Sequence, residues 1–179
     1  MTEFDFLRLK FNEIMEEQWE TVKLAERLYP QIVTLGYWDV DRAVRTLLGT
    51  SRPRVEVHIL DHRFRTYPRT IFEEVIADDN TDRSMPWPDW NDCDDRGWLF
   101  KAFMALYYNV TAVGFVKDDS SGHAYNLVVL PGAPAVAVLF EPQQDRFVEL
   151  DEPIDIPGGI ALPAGSTGRY SLTGGLILI

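Results

Sequence analysis

The apolar positions follow a helical period in the first part of the chain and a strand pattern in the second. Leu7, Phe11, Ile14, Met15, Val22, Ala25 and Leu28 recur at near-helical spacing, which predicts a long amphipathic helix from about residue 4 to Tyr29, stopped by Pro30. Val40, Ala43, Val44, Leu47 and Leu48 predict a second helix from about Asp39, and Gly49 suits its C-terminal cap. The run VEVHIL (55–60) reads as a short strand. TIFEEVI (70–76) reads as a short helix with Thr70 and Glu73 at capping-box spacing.

A loop rich in Asp, Pro and Trp, DDNTDRSMPWPDWN, then leads into a helix from Cys93 to about Tyr108. Asp92 is its natural N-cap, and Asp94 and Asp95 suit the positive end of the helix dipole. Strand patterns follow at VTAVGFV (110–116), AYNLVVL (124–130), AVAVLFE (135–141) and DRFVEL (145–150). The terminal GGLILI reads as a strand docked on the sheet. No internal repeat or low-complexity block interrupts the pattern. The expected architecture is α+β in a single domain, 1–179. Residues 1–86 form a helical N-terminal part, 87–150 a core of one central helix packed on a mostly antiparallel sheet, and 151–179 the C-terminal strands.

Composition narrows the function classes. A net charge of −11 argues against nonspecific nucleic-acid binding, which needs Lys and Arg on phosphates, and against anionic membranes. No apolar run reaches the roughly 20 residues of a membrane helix. The N-terminal MTEFDFLRLKFNE lacks the basic-then-apolar order of a secretory signal. The single cysteine forms no internal disulfide and matches no paired-cysteine zinc site. A cytoplasmic or other reducing compartment is therefore expected, and no cofactor or metal is called for.

Three polar residues in the second half stand where chemistry would need them. Cys93 opens a helix, His123 opens a strand in GHAYNLVV, and Glu141 closes the next strand in VLFEPQ. A helix N-terminus and a nearby imidazole both favour a thiolate. A third group orients the imidazole and fixes its tautomer. Neighbouring antiparallel strands can set His123 beside Glu141. Asn126 is a poorer orienting residue, because strand alternation turns it to the opposite face from His123. Against these stand plain structural roles: free cysteine is commonly a small buried hydrophobe, and the flanking aspartates oppose a thiolate. His58 and His62 read as structural or exposed. Trp87, Trp90 and Trp98 bracket the cysteine and either line a groove or anchor the loop.

The segments DCDDRGWLFKAF, GHAYNLVV and LFEPQ together resemble the catalytic core of transglutaminase-like cysteine proteinases, a superfamily related in architecture to papain. The resemblance covers about residues 87 to 150. It implies a papain- or transglutaminase-like core with Cys93 as nucleophile, His123 as base and Glu141 as orienting acid, although the family more often carries Asp at the third position. Gln143 is a substitute for Glu141. The Asn91 side chain and the Cys93 backbone N–H are candidates for the oxyanion hole, with Asp92 in support. The implied activity is a thiol hydrolase or acyltransferase acting on an amide bond. Its partner would be a peptide, a protein, an isopeptide or a cell-wall peptide. The competing reading is a non-catalytic binding or structural module on the same fold, of a kind found in phage and prophage settings.

Overall fold

A computed structural model describes residues 18–79, 93–155 and 162–179. The first helix, α1, runs through 18–28 and tightens into a 3-10 turn at Tyr29–Gln31, where Pro30 removes a backbone donor. The elements that follow are β1 (Val33–Gly36), α2 (Tyr37–Leu48), β2 (Val55–His58), β3 (Arg63–Thr66), α3 (Arg69–Asp78) and α4 (Cys93–Tyr108). The remainder is β4 (Val113–Asp118), β5 (His123–Leu130), β6 (Val136–Glu141), β7 (Arg146–Val148) and β8 (Gly175–Leu178). The fold is α+β, as the apolar pattern predicts. No described helix is long and apolar enough to cross a membrane.

Six strands form one sheet in the order β2-β8-β4-β5-β6-β7. Every neighbouring pair is antiparallel except β2 and β8, which run parallel. The terminal GGLILI supplies β8, wedged between β2 and β4 rather than added at an edge. β1 and β3 pair separately as a two-stranded ribbon, Val33↔Thr66 to Gly36↔Arg63.

Helices cover both faces of the large sheet. On one face, Val40, Ala43, Val44 and Leu48 of α2 pack with Leu35 and Phe64 against Tyr125, Leu127, Val129 and Leu139. On the other, Phe100, Met104 and Tyr108 of α4 join Phe72 and Val75 of α3 and Leu28 of α1 against Val113, Val128 and Phe140. β5 lies at the centre and is buried at every position, which explains why its apolar run lacks alternation.

Several expectations need correction. The segment 1–86, read as helical with one strand, also carries β1 and β3. The helix at 70–76 starts at Arg69, and its N-cap is Pro68 with no side-chain cap bond. Thr70 therefore lies inside the helix and no capping box forms; Glu73 instead accepts from Arg69 Nε at 3.0 Å. The helix expected from Asp39 begins two residues earlier, at Tyr37, where Asp39 Oδ2 accepts from the Gly36 N–H at 3.0 Å. The strand expected at 110–116 begins at Val113, because Asn109 adopts a left-handed φ of 56° after α4. Val110 N–H then closes back on Met104 O at 3.0 Å, across the last turn of the helix. The N-terminal part of the helix expected from residue 4, and the Asp92 N-cap, lie outside the described residues.

Candidate active site

The site is built at the end of the sheet where β5 begins. α4 presents Gly97, Phe100, Met104 and Tyr108 inward, a helical stripe that lays it across β4 and β5. Its first turns are fastened by Asn126, whose Nδ2 donates to Gly97 O at 2.9 Å and to Gly114 O at 3.1 Å. One buried amide thus ties helix, β5 and β4 together. Gly97 permits this approach: a Cβ there would stand 3.1 Å from the Phe115 ring. The start of α4, with Cys93, is thereby carried to the mouth of the β4–β5 hairpin.

That hairpin aims His123. Asp118 is buried at its base, and Asp118 Oδ1 accepts from the N–H groups of Ser120 at 3.0 Å and Ser121 at 3.3 Å, and from the Ser120 hydroxyl. Gly122 closes the turn with φ 67°, its N–H donating to Asp118 O at 2.9 Å. A left-handed residue is needed there, and glycine supplies it without strain. His123 follows at once as the first residue of β5.

Pairing of β5 with β6 begins only at Asn126↔Phe140. The start of β5 therefore extends beyond that ladder, and the Ala124 N–H donates to Cys93 Sγ at 3.4 Å. Glu141 is the residue just past the last β5–β6 pair, and alternation turns it to the same face as His123. His123 Nε2–H donates to Glu141 Oε2 at 2.7 Å, and neither side chain is exposed. The other ring nitrogen, Nδ1, is buried and makes no hydrogen bond in this arrangement. The thiol of Cys93, which is half-buried, lies close enough to act on the ring's protonation.

The electrostatics of the ring are a contest. Burial is the largest influence on His123 and lowers its pKa, because an imidazolium loses hydration. The closeness of Cys93, and the hydrogen bond and charge of Glu141, together overcome burial and raise the pKa from 6.5 to about 9. The imidazole is thus held protonated at neutral pH.

Glu141 is itself fully buried and held from three sides. Oε2 accepts from Tyr170 Oη at 2.9 Å as well as from His123, and Oε1 accepts from the Gln143 N–H at 3.1 Å. A buried carboxylate needs such donors to stay charged. The sequence reading placed Glu141 beside His123 but missed Tyr170. This residue lies in a segment of Pro and Gly punctuation, and no local pattern points to a partner 29 positions away.

The remaining candidates divide. Gln143 meets Glu141 through its backbone, and its side-chain Nε2 is buried without a partner, so Glu141 and not Gln143 orients the histidine. Asn126 faces α4, on the side away from His123, as alternation predicts. Trp98 is 43% exposed and stacks on Phe115, centroids 4.4 Å apart and planes 9° from parallel. Asp94 and Asp95 are exposed to solvent. His58 and His62 are exposed too, His58 lying 3.6 Å from Glu56. Trp87, Trp90, Asn91 and Asp92 lie outside the described residues. Among the described residues no three His, Cys, Asp or Glu side chains converge as a metal site.

A scan of known protein families finds none whose model matches this chain, and a search of curated proteins finds no match.

Proposed function

We propose that the chain is a thiol hydrolase or acyltransferase acting on an amide bond, with Cys93 as nucleophile, His123 as general acid and base, and Glu141 as the group that orients the imidazole. The observation that carries this reading is the His123–Glu141 bond of 2.7 Å, which spends Nε2 on the carboxylate and leaves Nδ1 as the nitrogen on offer to Cys93. A histidine that merely satisfied a strand end would not need a buried carboxylate braced from three sides. The raised histidine pKa matches the imidazolium half of a thiolate–imidazolium pair.

In this reading the Cys93 sulfur attacks the substrate carbonyl carbon and a C–S bond forms. The imidazolium gives its Nδ1 proton to the leaving amine as the C–N bond breaks. The neutral ring then takes a proton from water, or from an incoming amine, which attacks the thioester and releases Cys93. The Cys93 N–H, at the start of α4, is the candidate oxyanion donor. The same resemblance favours a core of the papain and transglutaminase type, and peptide, isopeptide or cell-wall peptide substrates.

The test is acyl-enzyme capture. The protein is incubated with an activated peptidyl thioester and its mass followed. One acyl group on Cys93 in the wild type, absent in His123→Ala, is the expected result. No acylation of folded wild type under conditions that acylate a free thiol peptide would favour a non-catalytic binding module.

A further inference from the structure

We propose that Tyr170 is a positioning residue for this site: its hydroxyl holds Glu141 in the rotamer and charge state that the His123 imidazolium requires. The inference rests on the catalytic reading above and deepens it, because it makes a residue of the C-terminal segment part of the site.

A glutamate has one more rotatable bond than an aspartate, so a glutamate in this role needs more anchoring to present one oxygen to a ring. Both oxygens are pinned here. Oε1 takes the Gln143 N–H at 3.1 Å, and Oε2 takes His123 Nε2 at 2.7 Å and Tyr170 Oη at 2.9 Å. Of these donors, Tyr170 alone comes from beyond the β5–β6 neighbourhood.

Tyr170 is itself held firmly. Its N–H donates to Glu152 O at 3.0 Å, and its carbonyl accepts from the Asp151 N–H at 3.1 Å. Two residues on, the Leu172 N–H donates to Asp118 Oδ2 at 2.9 Å, fastening the segment to the hairpin that carries His123. The ring is fully buried and packs edge-on against Tyr125, 5.2 Å between centroids, and 6.0 Å from the His123 ring. Burial first, and then the charge and hydrogen bond of Glu141, push its pKa far upward. The hydroxyl therefore stays protonated and acts on Glu141 as a donor throughout the working range.

Removal of this donor has a definite sign. A carboxylate that loses a hydrogen bond is less stable as an anion and less firmly aimed, so it supports the imidazolium less well and the ring gives up its proton more readily. The groups facing the ring are Cys93 from α4, Glu141 from β6, Tyr125 from β5 and Tyr170, and only the last is altered in Tyr170→Phe.

The experiment follows the His123 ring by NMR against pH in the wild type, Tyr170→Phe and a control, Tyr67→Phe. The control loses a buried hydroxyl that donates to Tyr108 O at 3.2 Å, away from the site. We expect the His123 midpoint in Tyr170→Phe to move downward by about half a pH unit or more, and Cys93 alkylation to slow several-fold, with neither change in the control. An unmoved or raised midpoint in Tyr170→Phe, with alkylation still dependent on His123, overturns the positioning role and leaves the catalytic reading standing. Alkylation indifferent to His123→Ala overturns both. If Tyr170→Phe does not fold, the unaltered protein decides. Its Tyr170 hydroxyl proton should exchange slowly and shift in step with the His123 titration, and a fast-exchanging or pH-silent hydroxyl overturns the role.

Discussion

His123 Nε2 and Glu141 Oε2 stand 2.7 Å apart in a place that solvent does not reach. A pair of this kind is costly to bury and strongly destabilising to break, since removal of one partner leaves a charge without water or counter-ion. Its presence at the mouth of a hairpin, beside the chain's one cysteine, gives the fold a chemically biased end.

The first prediction concerns stability against pH. The His123 pKa is raised from 6.5 to about 9, so the folded state holds this proton more tightly than the unfolded chain does. The stabilisation is fully present below about pH 6.5, declines as pH rises above that, and is lost beyond about 9. The wild-type Tm should fall by on the order of 5–10 °C across that window. In Glu141→Gln the fall should be smaller, because of the two groups that raise the imidazole pKa, Cys93 and Glu141, only Cys93 remains. Calorimetry on both proteins at closely spaced pH values checks this.

Asn126 offers a test of how α4 is seated. Its Nδ2 donates to two carbonyls, Gly97 O on the helix and Gly114 O on β4, and so bridges helix and sheet. Asn126→Ala should cost about 1–3 kcal/mol in urea unfolding. It should also loosen the start of α4, seen as faster hydrogen exchange in the residues after Cys93. An exchange pattern that changes only at the far end of the helix would contradict this account of the helix anchor.

Gly122 governs how the chain enters β5. With φ at 67°, a side chain there is strained, and its Cβ would lie 2.5 Å from Pro163 Cγ. Gly122→Ala should lower stability by about 1–3 kcal/mol and displace His123, the next residue. A crystal structure of the variant with the His123–Glu141 bond still at its native length would contradict the link between this turn and the site.

Much of this arrangement is legible in the sequence, for identifiable reasons. β5, β6 and β7 announce themselves through apolar runs bounded by turn residues, and β8 through an apolar terminus after paired glycines. Cys93, His123 and Glu141 stand at element ends, where antiparallel neighbours bring side chains together. β1 and β3 are harder to see. Each has four residues, the second alternates with arginines, and their pairing spans Val33 to Thr66, so no local window contains the reason for either. The capping box at Thr70 fails because Pro68 already fixes the start of α3 one residue earlier. Tyr170 escapes notice because its role depends on a backbone clamp to Asp151 and Glu152, a contact set by the tertiary fold alone.

Whether His123 activates Cys93 is read from the rate at which a small neutral alkylating agent modifies Cys93 near pH 7. Wild type, His123→Ala and Glu141→Gln are compared under native conditions, with Cys93→Ser as the blank. Fast modification of the wild type is expected, with a loss of about tenfold or more in His123→Ala and a smaller loss in Glu141→Gln. Slow modification that is the same in all three, together with a Cys93→Ser variant that is measurably less stable, would mean that the cysteine is a packing residue and would contradict its activation by His123.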